Sequence, residues 1–484
     1  MKNIKKILYI GGLATSLLMV SSCQNDITSL NNDPKHPASV PSGNLLATSM
    51  YQSFYYMYTG SVNFNNYRFF TQQWTETIYT QETNYNLVTR NQPRNHFNRM
   101  YVYSLNPLEQ AKKDLPAEIN ADPDVVNNKW ATLELASIFV WENIVDTFGD
   151  VPYTQALQAE TIKSPKYDDA KTIYLSLLSR INIAITKINT AKPGYSSEDL
   201  VYKGDMEKWI RFANSLKLRL AINLADVDPA TSKAAAEAAI TGGLMTSDAD
   251  SYALKFDGNT FTNPLFDDLV AAGRNDFVPS NVIINPMNAK SDPRRDAYFT
   301  LVEFPVDSGI FLYKGGVYGT GNSFATNSHV NSKFLESNAP AKLLGYSEVL
   351  FLRAEAAARG FNAGAPAATL YAHAVTASMA ENGIAGTAVT DYLTANPYNA
   401  TNWKQSIGYE GWVAMWNNPF AAWNFTRRLD YPVLTAPPAS YIGGIPYRMP
   451  YSDQEYVVNN ANVSSAASAI GGDKATTKLF WDIY

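Results

Sequence analysis

Apolar residues recur at three- and four-residue spacing in a succession of stretches, which predicts helices over 45–58, 68–81, 96–115, 127–145, 168–190, 206–225 and 231–240. The clearest is GYSEVLFLRAEAAARG, Gly345 to Gly360. Ser347 is placed to cap its amino end, Glu348 and Arg359 complement the helix dipole, and Gly360 supplies a left-handed stop. Its interior leaves almost no purely polar face, so it must be packed on more than one side. After a short linker, Pro366 opens a second Ala-rich helix, 367–382, and Gly383 ends it. The two make a helical hairpin of about tetratricopeptide length, a unit that stacks on others of its kind.

Between 252 and 340 this periodicity dissolves into Gly, Asn, Asp and Pro, with brief apolar runs over 299–304 and 310–313 as candidate strands. A Trp-rich helix is expected over 410–424, and from Tyr431 onward the chain is turn-rich apart from possible helix around 453–460. The fold class is therefore mainly α with minor β. A helical scaffold is expected over roughly 44–245 and 341–383, and a loop-rich part over roughly 250–340 and 384–484. Loops held on a rigid frame are where binding commonly resides.

Composition adds an aromatic surplus, 13% of residues with 30 Tyr and 9 Trp, against 17% charged. A large aromatic core and an aromatic binding surface both account for it. Cys23 is the only cysteine, so no disulfide or cysteine-zinc site forms within the chain. Lys2, Lys5 and Lys6, the apolar run Ile7 to Val20, and Ser21-Ser22-Cys23 have the layout of a lipoprotein signal peptide, residues 1–22, with Cys23 as the acylated new N-terminus. Residues 24–43 read as a polar tether. Removal of the leader takes the formal charge from −5 to about −8, which makes nucleic acid a poor partner. No later apolar run reaches membrane-spanning length, leaving the acyl chains as the membrane attachment.

Several stretches together resemble the SusD/RagB family of Bacteroidetes nutrient-binding outer-membrane lipoproteins. They are the lipobox at Cys23, WENIVDTFGDVPYTQAL from Trp141, WIRFANSLKLRLA from Trp209, Ser291-Asp292-Pro293-Arg294, and GYSEVLFLRAEAAARG. The run Glu410, Trp412, Trp416, Trp423, Arg427, Arg428 and Pro432, and PYRMPYSDQEYVVN from Pro446, complete the ordered set. The resemblance implies a single SusD-like body, residues 23–484, with tetratricopeptide-like pairs on one side and ligand-facing loops on the other. It also implies a cell-surface location at the outer membrane, an oligosaccharide or peptide ligand, and a SusC-like TonB-dependent porin as partner. It carries over no ligand residues.

Sugar rings offer apolar C–H faces and polar edges, so their sites pair aromatic platforms with Asn, Asp or Arg. The segment from Phe64 to Arg90 has that composition, with Trp74, Tyr79 and Tyr85 as platforms and Asn84, Asn86 and Arg90 as edge partners. Trp74 stands at helical spacing from Ile78 and fits a core position equally well. Tyr313 and Tyr318 flank the glycines of KGGVYGTGN as further candidates. That run lacks the Gly-Lys-Ser/Thr ending of a phosphate loop. Glu142, Asp146 and Asp150 are spaced four apart, but carboxylates on adjacent turns of one helix do not flank a glycosidic bond. The four histidines are scattered and no nucleophile motif occurs, so no catalytic residue, metal or cofactor is expected. The expected function is non-catalytic glycan capture, with peptide capture and a surface glycosidase as the alternatives. Trp412, Trp416 and Trp423 form one helical stripe and read as core.

Overall fold

The computed structural model describes residues 40–118 and 122–484; the leader, Cys23 and residues 24–39 of the tether lie outside them. Helices pack as antiparallel neighbours along the chain. Pro123–Phe148 lies against Ala170–Lys187, Met206–Asn223 against Pro229–Thr241, and Tyr346–Ala358 against Ala367–Ala380. Local chemistry sets their starts. Asp122, Asp169, Asp205 and Asp228 each accept a first-turn backbone N–H, and Pro123 and Pro229 occupy the first helical position where no donor is needed. Tyr346–Ala358 begins differently, after Gly345 with no side-chain cap; the Ser347 N–H is instead taken by Glu381 at 3.0 Å. Gly360 has φ +82° and Gly383 φ +78°, the left-handed stops that their positions require.

Periodicity fails where pairing partners are distant. The stretch 68–81 is not a helix: Tyr67–Phe70 makes one turn, Gln72 adopts φ +55°, and Trp74–Glu76 becomes a strand. That strand pairs antiparallel with Phe277–Pro279, in the register Trp74 to Pro279 and Glu76 to Phe277. The expected helix over 96–115 is a bent rod in which Gln92–Asn98 and Asn106–Glu118 flank a π-helical stretch, Arg99–Leu105. Pro107 offers no N–H to the preceding turn, and the Asn106 N–H reaches back to Tyr101 O. The loop-rich region holds Asn281–Ala289 and Arg294–Tyr298 as short helices, and the 410–424 expectation resolves into Trp403–Ala414 and Pro419–Leu429. The two candidate strand runs do pair, Val302–Glu303 with Phe311–Leu312.

Buried charge ties the helices into one frame. Arg219 of Met206–Asn223 donates to Glu142 at 2.8 Å and to Glu348 at 3.1 Å, joining three helices. Arg428 donates to both oxygens of Glu355 at 3.1 and 2.9 Å and to Asn223 at 2.7 Å. Arg294 reaches Asp292 and Glu410, each at 2.6 Å. All these side chains lie in the core, where a pair survives desolvation only because nearly every hydrogen-bonding site is used. Glu142 and Asp146 thus serve the frame; burial holds both carboxyls above their usual range, partly offset by Arg219 and Arg427. Trp412, Trp416 and Trp423 are core residues, as their stripe suggested. Residues Pro41–Tyr484 form one compact unit. Among the described residues no helix is long and apolar enough to cross a membrane.

Candidate functional site

The strand Trp74–Glu76 runs beneath a loop face built from 77–91 and 315–324. Trp74 is only 1% exposed: Phe277 packs 6.0 Å from its ring, and the Arg68 guanidinium lies 4.7 Å over it. Above Thr75, a Cβ on Gly316 would fall 2.8 Å from both Thr75 and Val278, so only glycine lets that loop lie this close to the strand. Trp74 is therefore core and not a platform. Three other candidates fail for the same reason. Tyr85 is buried with its hydroxyl accepting from Gln72 at 2.8 Å, and Tyr318 is buried with its hydroxyl donated to Phe69 O at 2.7 Å. Asn84, also buried, donates to Thr80 O at 2.7 Å and Gly319 O at 2.9 Å, pinning the two loops together instead of facing a ligand.

Past Glu76 the chain rises to the surface. Thr77 is held on both sides, donating to Asp276 O at 2.8 Å and accepting from the Asn322 N–H at 2.9 Å. Tyr79 follows at φ +57° and 64% exposed. Four non-glycine residues between 72 and 91, namely Gln72, Tyr79, Tyr85 and Asn91, have left-handed backbone. Each such conformation costs roughly 1–2 kcal/mol, so the segment persists only because its surroundings over-determine it.

The clamp beneath Tyr79 is acidic. Glu76 accepts from the Thr83 N–H at 3.0 Å and its hydroxyl at 2.8 Å, and Arg90 binds Glu82 through Nε at 2.6 Å. Burial holds the Glu76 carboxyl well above the usual range, the neighbouring Glu82 adds to this, and Thr83 works against it. The enclosed Glu82 Oε2 has no hydrogen-bond partner among the described residues.

An open cleft of about 270 Å³ remains, lined by Asn63, Glu76, Tyr79, Arg90, Arg274 and Asp276, with Val62, Ile78 and Phe277 as apolar wall. Of the eight ligand candidates read from the sequence, Asn86 accepts the Val88 and Thr89 N–H groups of its own turn, while Tyr79 and Arg90 meet here. Tyr313 does not: its hydroxyl donates to Asp296 at 2.8 Å and Arg295 covers its ring at 5.3 Å. Asn63 belongs to the Asn-rich stretch that drew attention to this segment, whereas Arg274 and Asp276 carry no local signal and arrive through the strand pairing. Arg90 uses only Nε internally, and the Arg274 and Asp276 side chains have no partner among the described residues. The cleft thus offers one exposed ring with unspent cationic, anionic and amide groups around it. No cluster able to hold a metal ion occurs among the described residues.

A family profile for SusD-like proteins, described as starch-binding and associating with the outer membrane, matches residues 34–452. A solved chitin-binding protein superposes with a TM-score of 0.81 at 26% identity, covering 92% of this chain and 100% of its own. A SusD homologue from Bacteroides uniformis ATCC 8492 gives 0.79 at 26% identity over 91% and 99% of the two chains. A chitin-binding SusD homologue from Flavobacterium johnsoniae gives 0.75 at 23% identity over 92% and 97%, a likeness of fold alone. No curated protein matches in sequence. Because the profile spans most of the chain, including both the helical frame and the segment that carries Tyr79, the chain belongs to the SusD-like family.

Proposed function

We propose that this protein is a non-catalytic, lipid-anchored glycan-binding protein of the cell surface, which captures oligosaccharides and passes them to a SusC-like TonB-dependent transporter. The observation that carries the reading is the exposed Tyr79 ring, raised by a left-handed backbone beside Asn63, Arg90, Arg274 and Asp276. A pyranose stacks its C–H face on such a ring and turns its hydroxyls to the polar rim. The carboxylates of the helical frame are consumed by arginines, and Glu76 lies buried under its threonine, so the cleft has no exposed acid and base pair across a bond. Chitin-type and starch-type chains are the first ligands to try, from the family description and the relatives' names.

Calorimetry with chitotetraose and maltoheptaose tests this. Binding to one of them, with no reducing ends released on incubation, is the expected result; released ends support the glycosidase alternative, and binding of peptides alone supports the peptide one. For the anchor at Cys23, outside the described residues, labelled palmitate should enter the wild type and not Cys23→Ser. For the transporter, the lipoprotein should co-purify with a large outer-membrane barrel after mild detergent extraction.

A further inference from the structure

A second open cleft, of about 400 Å³, shares no lining residue with the first. Its walls are the helix Trp403–Ala414, the end of Asn281–Ala289 and the segment 431–433. The third wall is seated by a glycine: a Cβ on Gly408 would lie 2.8 Å from Tyr431 Cβ and 3.0 Å from its carbonyl oxygen, so Tyr431 rests directly on the helix. Tyr371, Tyr409 and Tyr431 are among the residues lining the cleft.

Its polar groups are not spent. Lys290 is placed 4.8 Å over the Tyr409 ring and donates to Asn396 at 2.6 Å, with no carboxylate in ion-pair range among the described residues. The acid that lines the cleft, Glu410, is already taken by Arg294 at 2.6 Å and Tyr392 at 2.7 Å. The Tyr409 hydroxyl is enclosed without a partner. Ser406 accepts the Asn399 N–H at 3.1 Å, which leaves its hydroxyl hydrogen available, and Gln405 is exposed at the rim. The ammonium, an amide and a hydroxyl hydrogen thus keep bonding capacity beyond what the fold uses.

We propose that this cleft is a second saccharide site, sized for one or two pyranose rings, with Tyr431 as the aromatic face and Lys290, Gln405 and Ser406 meeting hydroxyl or acetamido oxygens. The volume lies at the small end of the range for ligand pockets, which favours a chain end over a long segment. The inference rests on the glycan reading above, extended to a site that the first cleft does not touch.

Equilibrium dialysis with labelled diacetylchitobiose and with maltose counts the sites. The wild type should bind two molar equivalents of one of them, Tyr79→Ala should weaken one class and leave the other unchanged, and Lys290→Ala should weaken that other class roughly 10- to 100-fold, the loss of a charge-assisted hydrogen bond. Gln405→Ala, at an exposed position, should lower the same class without changing thermal stability. A single equivalent that is weakened by Tyr79→Ala and ignores Lys290→Ala overturns the second site and leaves the glycan reading standing. No saccharide bound by the wild type overturns both.

Discussion

The ion pairs of the helical frame and the polar groups of the Tyr79 cleft are made from the same residue types, and they differ in whether their bonding capacity is spent. In the frame, Arg219 divides its donors between Glu142, Glu348 and Leu343 O, and Arg428 between Glu355 and Asn223. Helices from far apart in the chain are thereby locked at fixed orientations. In the cleft, Arg90 spends one nitrogen, and Arg274 and Asp276 spend none on the described residues. A surface with unspent donors and acceptors beside an exposed ring has something left for a ligand. The comparison also separates strain from stability: left-handed non-glycine residues gather between 72 and 91, whereas none lies inside a frame helix.

The sharpest way to break this comparison is Arg219→Met, which leaves Glu142 and Glu348 buried without their cation. A destabilisation of about 3–5 kcal/mol is expected, read from denaturant melts. A change near zero would mean the network does not hold the frame. Tyr85→Ala should cost a comparable ~3–5 kcal/mol as a core cavity, with glycan affinity altered only through loop disorder.

Next in size is a pH effect. His96 is buried, 2.8 Å from Asn143 and 2.9 Å from Tyr67, and burial pushes its pKa down to about 4. Its folded value lies below its unfolded one, so its contribution is complete above about pH 6.5 and is lost as pH falls toward 4, by at most about 3 kcal/mol. Asp150 has the opposite sign, since burial raises it to about 6 and its contribution weakens as pH rises from 3.8 to that value. Comparing melts of wild type and His96→Gln between pH 4 and 7 isolates the histidine slope, which the variant should lack.

The smallest effects are the most diagnostic. Tyr79→Ala should leave stability within about 0.5 kcal/mol and reduce glycan affinity by about 0.5–1.5 kcal/mol. Tyr79→Gly should lose the same affinity while gaining roughly 1 kcal/mol of stability, because glycine accepts φ +57° without strain. If Tyr79→Gly melts lower than the wild type, the ring is packed on the frame and is not a platform.

Helix pattern and stops were legible because they are local, whereas the cap read at Ser347 is not made: the helix starts after Gly345 and Glu381 takes the Ser347 N–H. Apolar residues at the helix period and a glycine after the last turn act through neighbours a few positions away, so most of the frame could be read from the residues themselves. The Asn- and aromatic-rich segment was legible as the region of the cleft for the same reason, through composition. Which of its rings face out was not. Trp74, Tyr79 and Tyr85 look alike in sequence, but Phe277, brought in by a strand pairing across about two hundred residues, packs on Trp74, and Tyr318, from the loop beyond that strand, packs on Tyr85. Exposure of a side chain is a property of what covers it, and here the covering groups come from elsewhere in the chain.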